Sequence, residues 1–445
     1  NELENTPTSY IMRFVCGEGQ IKHSDFNAYT QAIWDACKKV ADEGVILLKN
    51  DGAALPVSSS QKIALFGVTS YDFIAGGTGS GDVYRPYVVD MKQGLSNAGF
   101  VLDEAVDKFY AGYMADEKQR CDRINGDNGW HIDRERAIEV VPEDLIRQSA
   151  ETADAAFITI GRVFGEGRDR NYHYSYLLTE DENRLIECVS EAFHAKGKKL
   201  TVILNIGGLV DVCAWRDKAD AIILCWQPGM EGGNTLASVI DGTVNPSGHL
   251  PATISTAYEM EPTVKNFPQV YTDKPFNYSF YRQLDGSVRN LIKNIDYTLY
   301  EEDIYVGYRY FNTFNRKAVA YPFGYGLSYT EFSFDSMSCE QTEGGWKVLV
   351  KVTNKGKVAG KDVVQIYVKA PKGKLDQPER ELKGFAKTPL LNPGESAEVE
   401  IFIPKESVSS YDESVSGWVT APGNYTFIAA KDAFDTSCKQ KIRID

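Results

Sequence analysis

The chain has 445 residues, room for two or three domains, and 43% hydrophobic and 25% charged residues, which exclude a disordered tail, a collagenous rod and a small disulfide scaffold. Mean hydropathy is −0.32 and no run of eighteen apolar residues occurs, so no membrane-spanning helix is expected. With 48 Lys and Arg against 62 Asp and Glu, the net charge of −14 repels phosphate backbones; the nearest basic cluster, Arg162, Arg168 and Arg170, is interrupted by Glu166 and Asp169, and nucleic acid is not an expected partner.

The predicted elements begin with a helix before residue 44. Ser24 or Asp25 can cap it, and Ile33, Trp34, Cys37, Val40 and Ala41 are its expected buried stripe. It stops at Gly44, and an extended run over 45–48 ends at the turn Asn50-Asp51-Gly52. From 60 to 255 the texture alternates. Short, almost wholly apolar runs at 62–67, 156–161, 199–205 and 221–226 have the composition of strands buried on both faces. Helical stretches at 86–98, 179–196 and 232–241 lie between them, the second opened by a Thr179/Glu182 capping box. Strand–helix–strand repetition predicts a mainly parallel α/β sandwich. Ligands of such sheets sit at the carboxyl ends of the strands, which selects the loops after Gly67, Gly161, Asn205 and Trp226.

Residues 256–330 read as an irregular, Tyr-rich connection. From 331, alternating runs at 346–353, 399–403 and 424–430 and an apolar run at 363–369, punctuated by Asn-Lys-Gly, Asn-Pro-Gly and Pro-Gly-Asn, predict an all-β sandwich. The expected division is therefore 1–43, 44–255, 256–330 and 331–445. Eight cysteines without a CxxC pair and five scattered histidines suggest neither a zinc site nor a disulfide framework, and Cys213 and Cys225 read as small core residues. Unpaired thiols, with no signal-peptide pattern in 1–10, point to the cytoplasm, with secretion the alternative where the N-terminus has been trimmed. Asn277 and Asn424 each open a sequon. The 25 tyrosines suit either core packing or ligands with flat apolar faces, sugars included.

Three of the selected loops carry candidate chemistry. In Gly161-Arg162-Val163-Phe164-Gly165-Glu166-Gly167-Arg168-Asp169-Arg170, two glycines let the backbone turn sharply and project Glu166 from a strand end. A carboxylic acid placed there can protonate a leaving group; the alternative is a surface carboxylate paired with Arg168 or Arg170. The Gly76-Gly77-Thr78-Gly79-Ser80-Gly81 loop lacks Gly-Lys-Ser/Thr and the dinucleotide spacing. It suits a backbone approaching a neutral polar ligand, with Ser80 offering a hydroxyl, or else a plain surface loop. Glu231, in Gly229-Met230-Glu231-Gly232-Gly233, is placed to complement a helix N-terminus, and Asp211 and Asp303 read as structural carboxylates.

Taken together, these motifs resemble glycoside hydrolase family 3. The resemblance runs through Glu43-Gly44-Val45-Ile46-Leu47-Leu48-Lys49-Asn50, Gly79-Ser80-Gly81, Gly165-Glu166-Gly167-Arg168-Asp169-Arg170 and Leu204-Asn205-Ile206-Gly207. It continues through Trp226-Gln227-Pro228-Gly229-Met230-Glu231-Gly232, Asn245-Pro246-Ser247-Gly248-His249-Leu250-Pro251, Tyr305-Val306-Gly307-Tyr308-Arg309-Tyr310 and Pro322-Phe323-Gly324-Tyr325-Gly326-Leu327-Ser328-Tyr329. The tail is similar to the fibronectin-type-III-like domain of the family's β-glucosidases. The resemblance implies a retaining β-glucosidase without a cofactor or metal, with Glu166 as acid/base and Ser80, Phe164 and Arg168 binding a β-glucoside or cello-oligosaccharide. It also implies a (β/α)8 barrel carrying an aspartate nucleophile, which needs about 250 residues and is not in this chain. Reversed domain order or a second polypeptide would supply it. β-Xylosidase or α-arabinosidase activity, and a non-catalytic carbohydrate-binding remnant, are the alternative readings; homo-oligomers are compatible with all of them.

Overall fold

The computed structural model describes residues 26–77, 79–81, 83, 85–125, 140–163, 172–265, 300–436 and 438–445. Helix α1 (Phe26–Gly44) leads into β1 (Ile46–Asn50), β2 (Lys62–Phe66), α2 (Met91–Asn97), β3 (Val101–Leu102), α3 (Glu104–Asn125) and α4 (Glu143–Thr152). Then come β4 (Ala155–Arg162), α5 (Glu180–His194), β5 (Lys199–Ile206), β6 (Ala221–Leu224) and α6 (Gly232–Ile240). The six strands form one sheet in the order β1-β6-β5-β4-β2-β3. All neighbours pair in parallel except β1, which closes one edge antiparallel to β6.

The apolar runs are continuous because both faces of the sheet are covered. Every residue of β4 is buried. Ala156, Ile158 and Ile160 share a core with Val106 and Tyr110 of α3, Ile146 and Ala150 of α4, and Ile186, Val189 and Phe193 of α5. Ala155 and Phe157 face the other way, toward Met91 and Leu95 of α2 and Leu236, Val239 and Ile240 of α6. The expected parallel α/β sandwich is thus a three-layer structure, and its four central strands lie within two residues of their predicted bounds. The Thr179/Glu182 capping box is formed: Thr179 Oγ1 accepts from Glu182 N at 3.2 Å, and Glu182 Oε2 accepts from Thr179 N at 2.7 Å.

Two expectations are corrected. The proposed stripe of α1 is buried only in part: Val40 is 73% and Ile33 36% exposed and Cys37 is exposed, whereas Trp34 and Ala41 are half-buried. The sheet face below is already covered by α6, so α1 lies on a helix, and Trp34 and Ala41 of the stripe turn inward together with Lys38 and Asp42 while the rest of the row faces out. The caps proposed for it, Ser24 and Asp25, lie outside the described residues. The helix expected over 86–98 starts only at Met91, because Asp90 is its cap, accepting from Gln93 N at 2.7 Å, and Val89 is committed to a backbone bond with Met230.

β7 (Ile254–Ser255), α7 (Tyr308–Phe314) and β8 (Val319–Tyr321) follow, β7 pairing with β8. Thereafter the chain is all β: β9 (Phe332–Thr342), β10 (Gly345–Asn354), β11 (Val363–Lys369), β12 (Glu381–Lys387), β13 (Ser396–Pro404), the hairpin β14 (Ser410–Asp412) and β15 (Gly417–Val419), β16 (Gly423–Ala430) and β17 (Cys438–Ile444). Sheets β13-β10-β9 and β12-β11-β16-β17 enclose Trp346, Val348, Val350, Ile366, Ile401, Ile403, Tyr425 and Phe427, which confirms the expected sandwich. Its contact with the chain before it is both apolar and polar: Tyr308 and Phe323 pack against Tyr367, Ile428 and Ala433. The buried Gln365 donates from Nε2 across to the Gly324 carbonyl (3.0 Å) and, within the sandwich, to the Lys431 carbonyl (2.5 Å), and Asn312 donates to the Ala433 carbonyl at 2.7 Å. Glu43, at the end of α1, meets both Lys361 and Lys387. Among the described residues no helix is long and apolar enough to cross a membrane.

Candidate active site at the carboxyl ends of the strands

From β2 the chain steps outward to β3, then returns across β2 to β4 and continues the other way through β5 and β6. The direction of strand addition therefore reverses between β2 and β4, and a doubly wound sheet holds its ligand in the crevice at that reversal. The loop after β2 carries Ser80. The loop after β4 carries Phe164, Glu166 and Arg168, all three of which lie outside the described residues, as do Asp169 and Arg170.

Ser80 is exposed, within a turn of 3₁₀ helix at Gly79–Gly81. The loop that bears it is fastened at both feet. Gly229 N donates to Ala75 O at 2.9 Å on one side; Val89 N donates to Met230 O at 2.8 Å and Gly233 N to Val89 O at 2.9 Å on the other. Gly233 has to be glycine, since a β-carbon there would overlap the Asp90 carbonyl. Tyr87 adds a side-chain tie, its hydroxyl donating to Glu231 Oε1 at 2.6 Å while its ring meets Trp34 of α1 edge-on at 5.6 Å. Burial and the Glu231 carboxylate push the Tyr87 phenol up to about 12, so it remains a donor at neutral pH. Glu231 stands at the helix N-terminus, as expected, but its carboxylate does not bond the helix backbone. Its other oxygen accepts from Asn234 Nδ2 at 2.6 Å.

The residue that joins these loops is Asn205, near the carboxyl end of β5, wholly buried and paired in register with Gly161. Its Oδ1 accepts from Ile74 N at 2.8 Å, and its Nδ2 donates to Ile74 O at 2.9 Å and Trp226 O at 2.8 Å. One carboxamide thus pins the connections after β2 and β6 to the end of β5. Across the reversal, Ser70 Oγ donates to Phe66 O at 2.7 Å and shares a hydroxyl–hydroxyl bond of 2.6 Å with Thr159 Oγ1, and Thr69 Oγ1 donates to Thr159 O at 3.0 Å. Gly161 admits this packing: a β-carbon would overlap the Thr69 methyl and lie 2.9 Å from Ile74 Cδ1.

Arg162, assigned by its sequence neighbours to a basic surface cluster, is instead fully buried at the end of β4. It makes a two-pronged ion pair with Glu182 of α5, Nη1 to Oε1 and Nη2 to Oε2, both 2.7 Å. The physical reason is its position. β4 is buried along its whole length, so a cation at its last residue has to find an anion inside. Sequence reasoning assigned no role to Asn205 or to the Arg162–Glu182 pair. The available signal was a lone polar side chain ending an otherwise apolar strand run, which buries only when satisfied.

Beside the described end of the Glu166 loop, Tyr172, Tyr176 and Tyr258 cluster, with ring centroids 4.8 Å (Tyr172–Tyr258) and 5.4 Å (Tyr176–Tyr258) apart. Asp211 is structural here: its N–H donates to Tyr176 O at 2.8 Å and its carboxylate accepts from Cys213 N at 3.0 Å. Burial first, and then the Asp211 charge, push the Tyr176 phenol well above its ordinary value. Cys225 is buried and Cys213 packs against the core, as expected of small core residues.

Residues 45–329 match the glycosyl hydrolase family 3 C-terminal domain, and residues 362–433 match a fibronectin type III-like domain. Beta-glucosidase A of Butyrivibrio fibrisolvens is 35% identical over 447 residues, an alignment covering 89% of this chain and 49% of that protein. A beta-glucosidase of Ruminococcus albus is 36% identical over 419 residues, covering 92% and 40%. The solved beta-glucosidase 3B of Thermotoga neapolitana, in complex with glycerol, superposes with a TM-score of 0.78 at 38% identity, covering 92% of this chain and 53% of that one. The chain spans about half the length of these relatives. It belongs to glycosyl hydrolase family 3, and it carries that family's C-terminal domain followed by a fibronectin type III-like domain.

Proposed function

We propose that this chain is the acid/base-bearing part of a retaining β-glucosidase, which removes terminal non-reducing β-D-glucosyl residues when joined to a nucleophile-bearing (β/α)8 barrel outside this sequence. The observation that carries the reading is topological: the sheet reverses between β2 and β4, the two strands whose following loops bear Ser80 and Glu166. Names of relatives support it, since the B. fibrisolvens and R. albus proteins are both beta-glucosidases. In this mechanism the barrel aspartate attacks the anomeric carbon while Glu166 protonates the departing glycosidic oxygen. Glu166, now a carboxylate, then takes a proton from water as that water releases the glycosyl-enzyme. The two carboxyl groups have to stand about 5–5.5 Å apart in the assembled enzyme. Ser80, Phe164 and Arg168 are the residues we assign to sugar binding.

The test is Glu166→Gln in the complete enzyme, with kcat/KM measured on cellobiose and on 2,4-dinitrophenyl β-glucoside. Cellobiose, whose leaving alcohol needs a proton, should lose on the order of 10²–10⁴-fold, and the activated substrate little. Equal losses on both would refute the acid role. Matched aryl glucoside and xyloside rates decide between β-glucosidase and β-xylosidase specificity.

A further inference from the structure

The Arg162 guanidinium has five N–H donors, and the surrounding atoms accept all five. Nη1 donates to Gly161 O and Glu182 Oε1, both at 2.7 Å. Nη2 donates to Glu182 Oε2 at 2.7 Å and Leu177 O at 3.3 Å, and Nε donates to Ser175 O at 3.2 Å. These acceptors lie on both sides of one chain segment. Gly161 precedes it, at the end of β4; Ser175 and Leu177 follow it; Glu182 opens α5 and is itself fixed by its bond from Thr179 N. The segment between, from Val163 to the return of the described chain at Tyr172, contains Glu166. The Arg162 main chain is held as well, its carbonyl accepting from Gly207 N at 3.0 Å in the loop after β5.

We propose that Arg162, locked by Glu182, is a positioning residue for Glu166: it fixes the separation of the two described chain stretches, Gly161 on one side and Ser175 and Leu177 on the other, between which the acid is carried in the sequence. This rests on the acid/base reading above. The sheet ladder and the α5 capping box already hold β4 and α5 without it, and a buried ion pair adds little net stability over an apolar pair of the same shape. What a five-donor planar fork supplies that an apolar pair does not is a fixed separation between a strand end and carbonyls 13 and 15 residues farther on. Lysine has three donors and no plane, and cannot reproduce it.

The experiment uses the complete enzyme and the variants Arg162→Lys and Glu182→Gln, with Glu166→Gln as reference. It reads kcat/KM on cellobiose and 2,4-dinitrophenyl β-glucoside, together with the basic limb of the pH profile. A misplaced acid costs on the order of 10²-fold. We expect that loss on cellobiose, less than about tenfold on the activated substrate, and a double variant Arg162→Lys/Glu166→Gln no slower on cellobiose than Glu166→Gln alone. If Arg162→Lys does not fold, Glu182→Gln, which keeps one acceptor for Arg162 and the capping geometry, decides the matter. A selective loss in Glu166→Gln with uniform or absent losses in both other variants overturns the positioning role alone. A uniform loss in Glu166→Gln overturns the acid role, and the positioning role with it.

Discussion

Asn205 is the most exacting place to perturb the fold. Replacing it by alanine leaves the Ile74 N–H, the Ile74 carbonyl and the Trp226 carbonyl without the partner each has at 2.8–2.9 Å. Asn205 itself is 0% exposed, so water does not reach the vacated atoms without local opening. An unpaired buried backbone group costs about 1–3 kcal/mol, and some second lone pairs stay satisfied, so the expected loss is about 3–6 kcal/mol. For a domain of this size that is about 2 °C per kcal/mol, or a melting temperature lower by about 6–12 °C. Calorimetry measures the loss, and hydrogen exchange locates it: the Ile74 amide should exchange orders of magnitude faster while the β4–β5 ladder stays protected. Asn205→Asp adds a sign. The aspartate keeps the acceptor for Ile74 N–H but turns an anion toward two carbonyl oxygens, which raises its folded pKa above the unfolded value of about 3.9. The protonated form is the one the fold tolerates, so this variant is closest to wild type below pH ~4 and falls behind as pH rises toward neutrality. An alanine variant within about 1 kcal/mol of wild type, or an aspartate variant whose deficit does not change with pH, would refute the clamp.

Two other perturbations test the surroundings. Gly161→Ala should destabilise by at least about 2 kcal/mol through its overlap with Thr69, and Thr69→Ser, which removes the offending methyl but keeps the hydroxyl bond to Thr159 O, should recover part of it; additive losses in urea denaturation would argue against the contact. Glu43 ties α1 to the β-sandwich through Lys361 and Lys387: burial pushes its carboxyl up, but the hydrogen bonds and charges of the two lysines more than reverse this and hold it below its ordinary value of 4.5. Its contribution is therefore present above that value and lost as pH falls through the lowered one, so Glu43→Gln should cost about 1 kcal/mol or less at neutral pH and flatten the acid limb of the stability curve; an unchanged acid limb would contradict the assignment.

The central strands were legible in the sequence because they are buried on both faces, and such strands have no solvent side to dilute their apolar runs. The capping box was legible because it is a four-residue contact. The candidate loops were legible because ligands collect at strand ends, and a glycine-flanked carboxylate there stands out. What resisted reading depends on contacts between distant residues. α1 was predicted with its apolar row inward, a sound rule for a helix lying on a sheet. Here it lies on α6, and Trp34 meets Tyr87 while Ile33 and Val40 face out. β1 joins the sheet antiparallel through β6, about 170 residues later, and nothing local announces that direction. Asn205 and Ile74 are 131 positions apart, and Arg162 and Glu182 are 20. Composition and periodicity report how much of a segment is buried and with what period; they carry no record of which remote carbonyl or carboxylate will satisfy a buried donor. Local physics therefore specified the layers and the loops that hold the candidate chemistry, while the satisfaction of buried polar groups across the folded chain set how those loops are held.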